Sequence, residues 1–251
     1  MKNSKKMKEM SWVAFESKAK QTKLVIIPSG AFEVYGPHLP LGSDTLVSES
    51  IAELVSERVL SVVGPTVEVG DSAVLDTFPG TITIKFENFK NHLLDIVLSL
   101  KHWGFSDFLF INLHLGNVPA IDQISYDLQR NAGVRCAQID YWRFIKNHDI
   151  DIVETGTFAH LHASEAGTSI MMYLYPDLVN LQERLDQPLL KVDKYPDIRQ
   201  YYNFKQLAPN GTIGNSSVAT VEKGKQLVSR SVDRIVEFLT DEWGYSEISS
   251  S

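Results

Sequence analysis

Short apolar runs alternate with longer segments of helical periodicity along most of the chain. The apolar, β-branched runs predict strands at residues 24–27, 62–69, 108–111 and 134–139. Apolar residues spaced three and four apart predict helices at residues 11–19, 45–60, 86–103, 118–131, 166–174 and 218–243. Because strands alternate with helices of this length, the pattern favours an α/β fold with a mainly parallel sheet covered on both faces.

The chain contains no internal repeat and no low-complexity linker. We therefore expect one domain over residues 1–251, with frayed ends at 1–10 and 245–251. Residues 180–217 are polar and aromatic with little periodicity, which predicts a long excursion from the sheet.

The composition is that of an ordinary globular protein. Of 251 residues, 43% are hydrophobic and 22% are charged, which allows a substantial core. The net charge of −7 leaves no broad basic face, so we expect no nucleic-acid partner and no anionic membrane. The single Cys136 excludes an intramolecular disulfide. No apolar stretch has the roughly 18 residues of a spanning helix, and the basic N-terminus leads into no apolar signal segment; together these predict a cytoplasmic protein.

A polar stretch directly follows the first predicted strand, in the sequence V-I-I-P-S-G-A-F-E-V-Y-G-P-H-L-P-L-G-S-D at positions 25–44. Its prolines and glycines suit a loop that fixes Glu33, His38 and Asp44 at the end of that strand, where open α/β sheets place their sites. The alternative is a surface loop in which Asp44 only caps the helix that begins at Thr45.

Two further polar groups precede predicted helices. They are Asn112, His114 and Asn117 after the third predicted strand, and then His160, His162 and Glu165. Segments that leave the carboxyl ends of parallel strands lie along one edge of the sheet, so we expect the three groups to converge. Carboxylates and imidazoles without a thiolate suit Zn²⁺, Mn²⁺ or a similar divalent ion. The alternative for each histidine is a structural one, either hydrogen-bonded at a strand end or exposed on a loop.

Six segments of the chain resemble, in the same order, motifs of the creatininase (creatinine amidohydrolase) family. The polar stretch after the first strand is similar to the family's P-x-G-x-x-E-Q-H-G-P-H-L-P-L-x-T-D, and N-L-H-L-G-N-V is similar to N-G-H-G-G-N. The segments T-F-P-G-T-I-T-I and H-A-S-E-A-G-T-S-I-M-M-Y-L-Y-P-D-L-V also have counterparts, as do Y-W-R-F and G-T-I-G-N-S-S-V-A-T-V-E-K-G-K. The similarity covers most of residues 11–240, so the chain is identified as a divergent member of this family.

The resemblance implies a fold and a metal site. The fold would be a three-layer α/β/α sandwich with a mainly parallel central sheet, assembled into hexamers. Glu33, Asp44 and His114 would bind one divalent ion, and Asp44 would bridge to a second. Known members open a cyclic amide or remove a formyl or peptide group by metal-activated water, and one branch is assigned to opening an oxidised inositol ring.

The resemblance also implies roles around the substrate. His162 matches a histidine that transfers protons at the substrate in creatininase, and Trp142 and Phe158 would line the substrate pocket. The alternative for Trp142 is an aromatic side chain that simply packs in the core.

Three residues depart from the family pattern, so two of the side chains that the resemblance implies at the second metal are missing. Tyr35 stands where the family has a histidine, Gly167 replaces the glutamate of E-T-S, and Gly116 stands where creatininase uses a glutamate. A phenol is a poor ligand at neutral pH because its unperturbed pKa is about 10. Three interpretations remain: His38 or Glu165 substitutes as a ligand, the site holds a single ion, or the site is degenerate.

The leading hypothesis is a metal-dependent hydrolase of a small polar cyclic amide or a related carbonyl compound. One ion, Zn²⁺ or Mn²⁺, at the three implied ligands and with an open position suffices to activate water. Tyr35 would donate a hydrogen bond to the substrate, and His162 or Glu165 would carry a proton to the leaving group.

Two alternatives stay open. The first is a hydrolase that opens a keto-inositol ring, for which the Lys, Arg and Tyr residues at 190–205 would suit a polyhydroxylated substrate. The second is a non-catalytic paralogue, which would carry no stoichiometric metal. A homo-oligomer is expected from the family alone.

Overall fold

The structure is a computed structural model that describes residues 5–186, 194–195, 197–198 and 200–248. Parts of the predicted excursion at 180–217 and of both expected frayed ends therefore lie outside the described residues.

A parallel sheet of four strands forms the centre of the described part of the chain. The strands are β1 (Leu24–Ser29), β2 (Val62–Val63), β3 (Asp107–Asn112) and β4 (Arg135–Asp140), in the order β2-β1-β3-β4. Each neighbouring pair runs parallel. The carboxyl ends of all four strands consequently lie at one edge of the sheet, and the predicted parallel sheet is confirmed.

The second strand is much shorter than its apolar pattern predicts. Only Val62–Val63 pair with β1, although the pattern extends to residue 69. Gly64 and Pro65 interrupt the run, because proline has no N–H to donate to the ladder. The chain meets the sheet again at Val67, which forms an isolated bridge to Ser29.

Helices cover the sheet, and the described residues contain eight α-helices. They are α1 (Trp12–Ala19), α2 (Ser43–Arg58), α3 (Phe86–His102), α4 (Val118–Ala132), α5 (Tyr141–Ile145), α6 (Glu165–Leu174), α7 (Phe204–Leu207) and α8 (Val221–Asp241). The six predicted helices are all present, whereas the short α5 and α7 were not predicted. α8 begins later than its pattern suggests, because the Thr220 side chain accepts a hydrogen bond from the Lys223 N–H and caps the helix there. Within the described ranges, no helix is both long and apolar enough to cross a bilayer.

Successive residues of the inner strands face opposite layers of helices. In β1, Leu24 packs with α2, α6 and α8, whereas Val25 packs with α1, α3 and α4. In β3 the same alternation separates Leu109 from Phe110. The architecture is therefore a three-layer α/β/α sandwich, as the resemblance implied.

The described parts of both ends, which the sequence analysis expects to be frayed, pair with the rest of the chain. Lys6 forms a parallel bridge to Val63, and the Val63 N–H donates to the Lys5 carbonyl at 2.9 Å, so the chain pairs with β2 before a short 3-10 helix at Met7–Glu9. At the other end, Glu247 bridges to Val59, and the Tyr245 hydroxyl donates a hydrogen bond to the Asp107 carboxylate. Both segments are held by backbone pairing that their composition does not reveal.

Candidate active site

Glu33, Asp44 and His114 meet at the carboxyl ends of the two inner strands. Glu33 lies in the loop after β1, Asp44 lies in the first turn of α2, and His114 follows β3. One ligand atom from each side chain lies within 4.8 Å of the others, and all three residues are buried. Nδ1 of His114 is 3.1 Å from Glu33 Oε2 and 3.7 Å from Asp44 Oδ2. The structure thus brings together three side chains that the sequence places far apart.

Asp44 does not cap the helix that follows it. The N-cap of α2 is Gly42, and Asp44 already has a helical position in the first turn. The alternative in which Asp44 is only a capping residue is therefore wrong. Gly30 permits this placement, because a Cβ on Gly30 would lie 2.7 Å from the Asp44 Cβ.

Two asparagines tie the two loops that carry the ligands. The Asn112 side-chain amide donates to the His114 carbonyl at 2.8 Å. The Asn117 amide donates to the Gly30 carbonyl at 2.9 Å, which connects the end of β3 to the end of β1. Because both amides are buried and bonded, they fix the backbone that presents the ligands.

The His114 ring is held in one orientation by the loop after β2. Its Nε2–H donates to the Asp71 carbonyl at 2.8 Å, which leaves Nδ1 directed at the carboxylates. The neighbouring Ser72 hydroxyl donates to Glu33 Oε2 at 2.7 Å. Gly116 allows this approach, since a Cβ there would lie 2.1 Å from the Asp71 oxygen. Sequence reasoning missed Asp71 and Ser72, because neither residue lies in a predicted element or in one of the segments that resemble the family motifs.

The charges of the cluster depend strongly on one another. Burial alone would lower the pKa of His114, but the carboxylates of Glu33 and Asp44 raise that pKa to about 9. Burial works to raise the pKa of Glu33, yet the His114 imidazole lowers it. The pKa of Asp44 is raised, first by burial and then by the charge of Glu33. Two buried carboxylates at this distance call for a positive charge between them.

The donor set fits one divalent cation. Carboxylate oxygens and an imidazole nitrogen are ligands that Zn²⁺ and Mn²⁺ accept. Oδ1 of Asp44 is buried and has no hydrogen-bond partner, so this oxygen is available to a cation. Within the described ranges, no other group of three His, Cys, Asp or Glu side chains has this arrangement.

A pocket of about 270 Å³ adjoins the cluster and is lined in part by the three ligand residues. Its remaining wall combines five aromatic or imidazole side chains with aliphatic ones: Tyr35, Trp142, His160, His162, Phe204, Leu75, Leu113, Leu115, Leu161 and Ile213. A pocket of this size accommodates a small ring or a short chain.

Tyr35 and Gly167, two of the departures from the family pattern, lie against each other. A Cβ on Gly167 would lie 3.2 Å from Tyr35 Cε1 and 3.3 Å from its hydroxyl oxygen. The phenol ring is buried, and burial, together with the nearby charges of Asp44 and Glu33, raises its pKa well above the ordinary value. Tyr35 therefore stays a neutral hydrogen-bond donor and is unsuited to bind a metal as a phenolate.

His162 and Trp142 are fixed at the pocket wall by hydrogen bonds to backbone carbonyls. The His162 Nε2–H donates to the Val34 carbonyl at 2.6 Å, and burial lowers the pKa of its imidazole. The centroid of the His162 ring lies 4.6 Å from that of the Tyr35 ring, and the two rings are inclined at 41°. The Trp142 indole N–H donates to the Leu113 carbonyl at 2.7 Å. A neutral imidazole that donates through Nε2 keeps Nδ1 as an acceptor.

Three predicted site residues do not line this pocket. His38 bonds Thr168 through Nε2 at 2.9 Å and stands outside the ligand cluster. The Glu165 carboxylate is fully buried and accepts hydrogen bonds from Thr155 and from the ammonium of Lys223, so it is not free to carry protons. Phe158 is 59% exposed on the surface. Each residue was predicted to belong to the site because of its position in a motif. Its environment in the fold depends on residues far away in the sequence, which the motif does not contain.

The fold and this cluster together define the class of protein: a metal-dependent α/β enzyme whose site lies at the carboxyl ends of its strands. The sequence model of the creatininase family, described as creatinine amidohydrolase, matches residues 8–239. The chain belongs to this family and is a metal-dependent hydrolase.

Its relatives carry three different activities. Creatinine amidohydrolase of Pseudomonas putida is 27% identical, over 94% of this chain and 96% of the relative. The mycofactocin precursor peptide peptidase of Mycolicibacterium smegmatis is 29% identical, over 88% and 87%. The 3-dehydro-scyllo-inosose hydrolase of Thermotoga maritima is 24% identical, over 92% and 81%.

Solved creatininase structures share the fold. A creatininase variant complexed with creatine superposes with a TM-score of 0.82 at 24% identity, covering 96% of this chain and 99% of the other. A manganese creatininase gives the same TM-score at 24% identity, covering 95% and 98%.

Proposed function

We propose that this enzyme binds one divalent ion through Glu33, Asp44 and His114 and hydrolyses a small, neutral cyclic amide. The observation that carries the proposal is the buried ligand cluster in the wall of a pocket of about 270 Å³. The family membership and the named activity of the Pseudomonas putida relative support the choice of an amide bond.

A single ion is favoured over two. The Tyr35 ring lies in the space that a longer side chain at Gly167 would enter, and a neutral phenol is a poor ligand. His38 is turned toward Thr168, and Glu165 is paired with Lys223. These contacts leave three ligands from the chain, which is the number that a catalytic zinc site commonly has.

The ion would supply the Lewis acidity that makes a water molecule nucleophilic and polarises the carbonyl. His162 would accept a proton from that water at Nδ1, because its Nε2–H is committed to the Val34 carbonyl. Tyr35 would donate its O–H to the carbonyl oxygen as negative charge develops there. Trp142, fixed by its indole N–H, would support one face of the substrate.

The pocket wall favours a flat, neutral substrate over a polyhydroxylated one. Two carboxylates and a divalent ion sum to no net charge, and leucines together with aromatic rings form most of the remaining wall. The residues at 190–205 on which the keto-inositol alternative depends lie partly outside the described residues, and Tyr201 does not line the pocket. The similarity to the Thermotoga maritima hydrolase keeps this substrate in the test.

The experiment combines metal analysis with a substrate panel. Purified protein is analysed for Zn and Mn per chain, then assayed with creatinine and other cyclic amides, N-formyl amides, short peptides and an oxidised inositol. We expect one ion per chain and turnover of a cyclic amide. His114→Ala should lose both the metal and the turnover, whereas His102→Gln, at an exposed position, should keep both.

The other results are equally informative. Turnover of the oxidised inositol alone would contradict the proposed amide substrate but would agree with the proposed metal site. No metal and no turnover would identify a non-catalytic paralogue, and full turnover by metal-free protein would contradict the mechanism.

We also propose that the protein works as a cytoplasmic homo-oligomer, a hexamer by family resemblance. Burial raises the pKa of the Cys136 thiol to about 11, so this cysteine is unreactive and does not conflict with a reducing compartment. Light scattering of the purified protein would give the number of chains per particle.

A further inference from the structure

His160 forms a buried pair with Asp149 in the wall of the pocket. The side chains of His160 and Asp149 are only 5% and 4% exposed. His160 Nε2 is hydrogen-bonded to the Asp149 carboxylate, and the ring belongs to the same wall as His162 and the ligand residues. His160 and His162 therefore line the same pocket, but different residues hold them in place.

The other ring nitrogen of His160 has no partner. Nδ1 is buried and makes no hydrogen bond. Buried polar atoms are nearly always bonded, so an unbonded nitrogen on a side chain that lines a pocket suits a group that meets its partner when a ligand is present. A purely structural pair would gain stability by satisfying both nitrogens.

The partner of each histidine differs in charge. His162 donates to a neutral carbonyl, that of Val34. His160 is bonded to a carboxylate, which fixes the ring and offers a negative charge to balance an imidazolium. Paired groups in contrasting environments commonly divide the roles of base and acid in one site.

We propose that His160, held in position by Asp149, is a second catalytic imidazole and protonates the leaving nitrogen of the substrate through Nδ1. This assignment rests on the proposed amide hydrolysis and names its general acid. Asp149 is a positioning residue, since it acts on the substrate only through His160.

The proton balance is complete with these two histidines. The attacking water gives one proton to His162 Nδ1, and its oxygen bonds to the carbonyl carbon. The C–N bond then breaks, its electron pair stays on nitrogen, and that nitrogen takes the proton from His160 Nδ1. The products are a carboxylic acid and an amine, joined in one molecule when the substrate is cyclic. A proton passing through solvent from His162 to His160 restores both residues.

The kinetic test uses His160→Gln and Asp149→Asn in the metal-loaded enzyme with the panel substrate that the wild type turns over. Glutamine retains an amide N–H for Asp149 but carries no transferable proton. We expect kcat to fall by about 10²- to 10⁴-fold in His160→Gln, with KM and metal content little changed, and Asp149→Asn to fall in the same direction. His102→Gln is the matched control. Unchanged kcat in a folded, metal-loaded His160→Gln enzyme would overturn the assignment.

A second measurement does not require turnover or either variant. Imidazole ¹⁵N spectra of the zinc-loaded wild-type protein are recorded with and without acetohydroxamate, a chelating mimic of a hydrated carbonyl. We expect the Nδ1 resonance of His160 to shift on addition, whereas those of His102 and His148 stay in place. A His160 signal that does not respond while the hydroxamate is bound would contradict the proposal, even if the metal site proves correct.

Discussion

The absence of a side chain at Gly116 determines the orientation of the His114 ring. Gly116 lies where a Cβ would be 2.1 Å from the Asp71 carbonyl oxygen and 2.5 Å from His114 Nε2. The hydrogen bond between those two atoms sets the tautomer and the direction of the ligand nitrogen. Loss of a bond of this kind commonly weakens metal affinity by about 10- to 100-fold.

Gly116→Ala should therefore weaken metal binding by about 10- to 100-fold. The methyl group must displace either the Asp71 carbonyl or the imidazole, so Nδ1 turns away from the carboxylates. Competition with a fluorescent chelator measures the affinity, and circular dichroism checks that the fold is retained. An alanine variant with wild-type affinity would show that the Asp71 bond does not orient the ring.

Sequence reasoning at this scale succeeded where position along the sheet decides the environment. Asp44 and His114 follow inner strands, and a parallel sheet brings such residues to one edge whatever their separation in sequence. It failed for Glu165, whose carboxylate is claimed by Lys223, 58 positions away. Periodicity contains no information about such a partner, and the same holds for the contact between His38 and Thr168.

Helices α6 and α8 cross closely because Gly224 lies at their contact. A Cβ on Gly224 would be 1.9 Å from the Ser169 carbonyl oxygen. The pattern of apolar residues predicted both helices, but it did not predict that they would touch backbone to backbone. A glycine inside a helix is normally unfavourable, so its presence here indicates a packing requirement.

Gly224→Ala should destabilise the protein by about 3 kcal/mol, because α8 must move away from α6. Lys225→Ala, one position along and exposed, should change stability by less than about 0.5 kcal/mol. Urea unfolding of the two variants compares them directly. Equal free energies of unfolding for the two variants would mean that α8 can move away from α6 without destabilising the protein.

The ion pair between Glu165 and Lys223 fastens the start of α6 to α8. Burial alone would raise the pKa of Glu165, but hydrogen bonds from Lys223 and Thr155 lower it below its ordinary value of 4.5. Because the folded pKa is the lower one, the carboxylate stabilises the protein above about pH 4.5 and loses this effect as the pH falls through the folded pKa.

Glu165→Gln should reduce the free energy of unfolding by about 2 kcal/mol at neutral pH. It should also flatten the decrease of stability between neutral and acidic pH, since glutamine does not titrate. Thermal unfolding of both proteins from pH 7 to pH 3 checks the sign. A variant whose stability declines with acid as steeply as the wild type would contradict the linkage.

For the whole molecule, the buried carboxylates make stability depend on the metal. A cation that binds only the folded state adds about 4 kcal/mol when its concentration is 1,000 times its dissociation constant. For a chain of this size that corresponds to roughly 10 °C in melting temperature. We expect chelation by EDTA to lower the melting temperature by this amount in wild type, and by almost nothing in His114→Ala. An EDTA-insensitive wild type would argue against a metal at this position.

Part of the pocket wall comes from segments of the chain that carry none of the three ligands. Glu33 and His114 follow the two inner strands, whereas Trp142 and Phe204 lie in the short helices α5 and α7 later in the chain. Exchanging α5 and α7 between relatives would thus change the contacts to the substrate and leave the three ligands and both histidines in place. A family with this arrangement can acquire new substrates one segment at a time. Laboratory evolution of this protein should therefore begin with substitutions in α5 and α7.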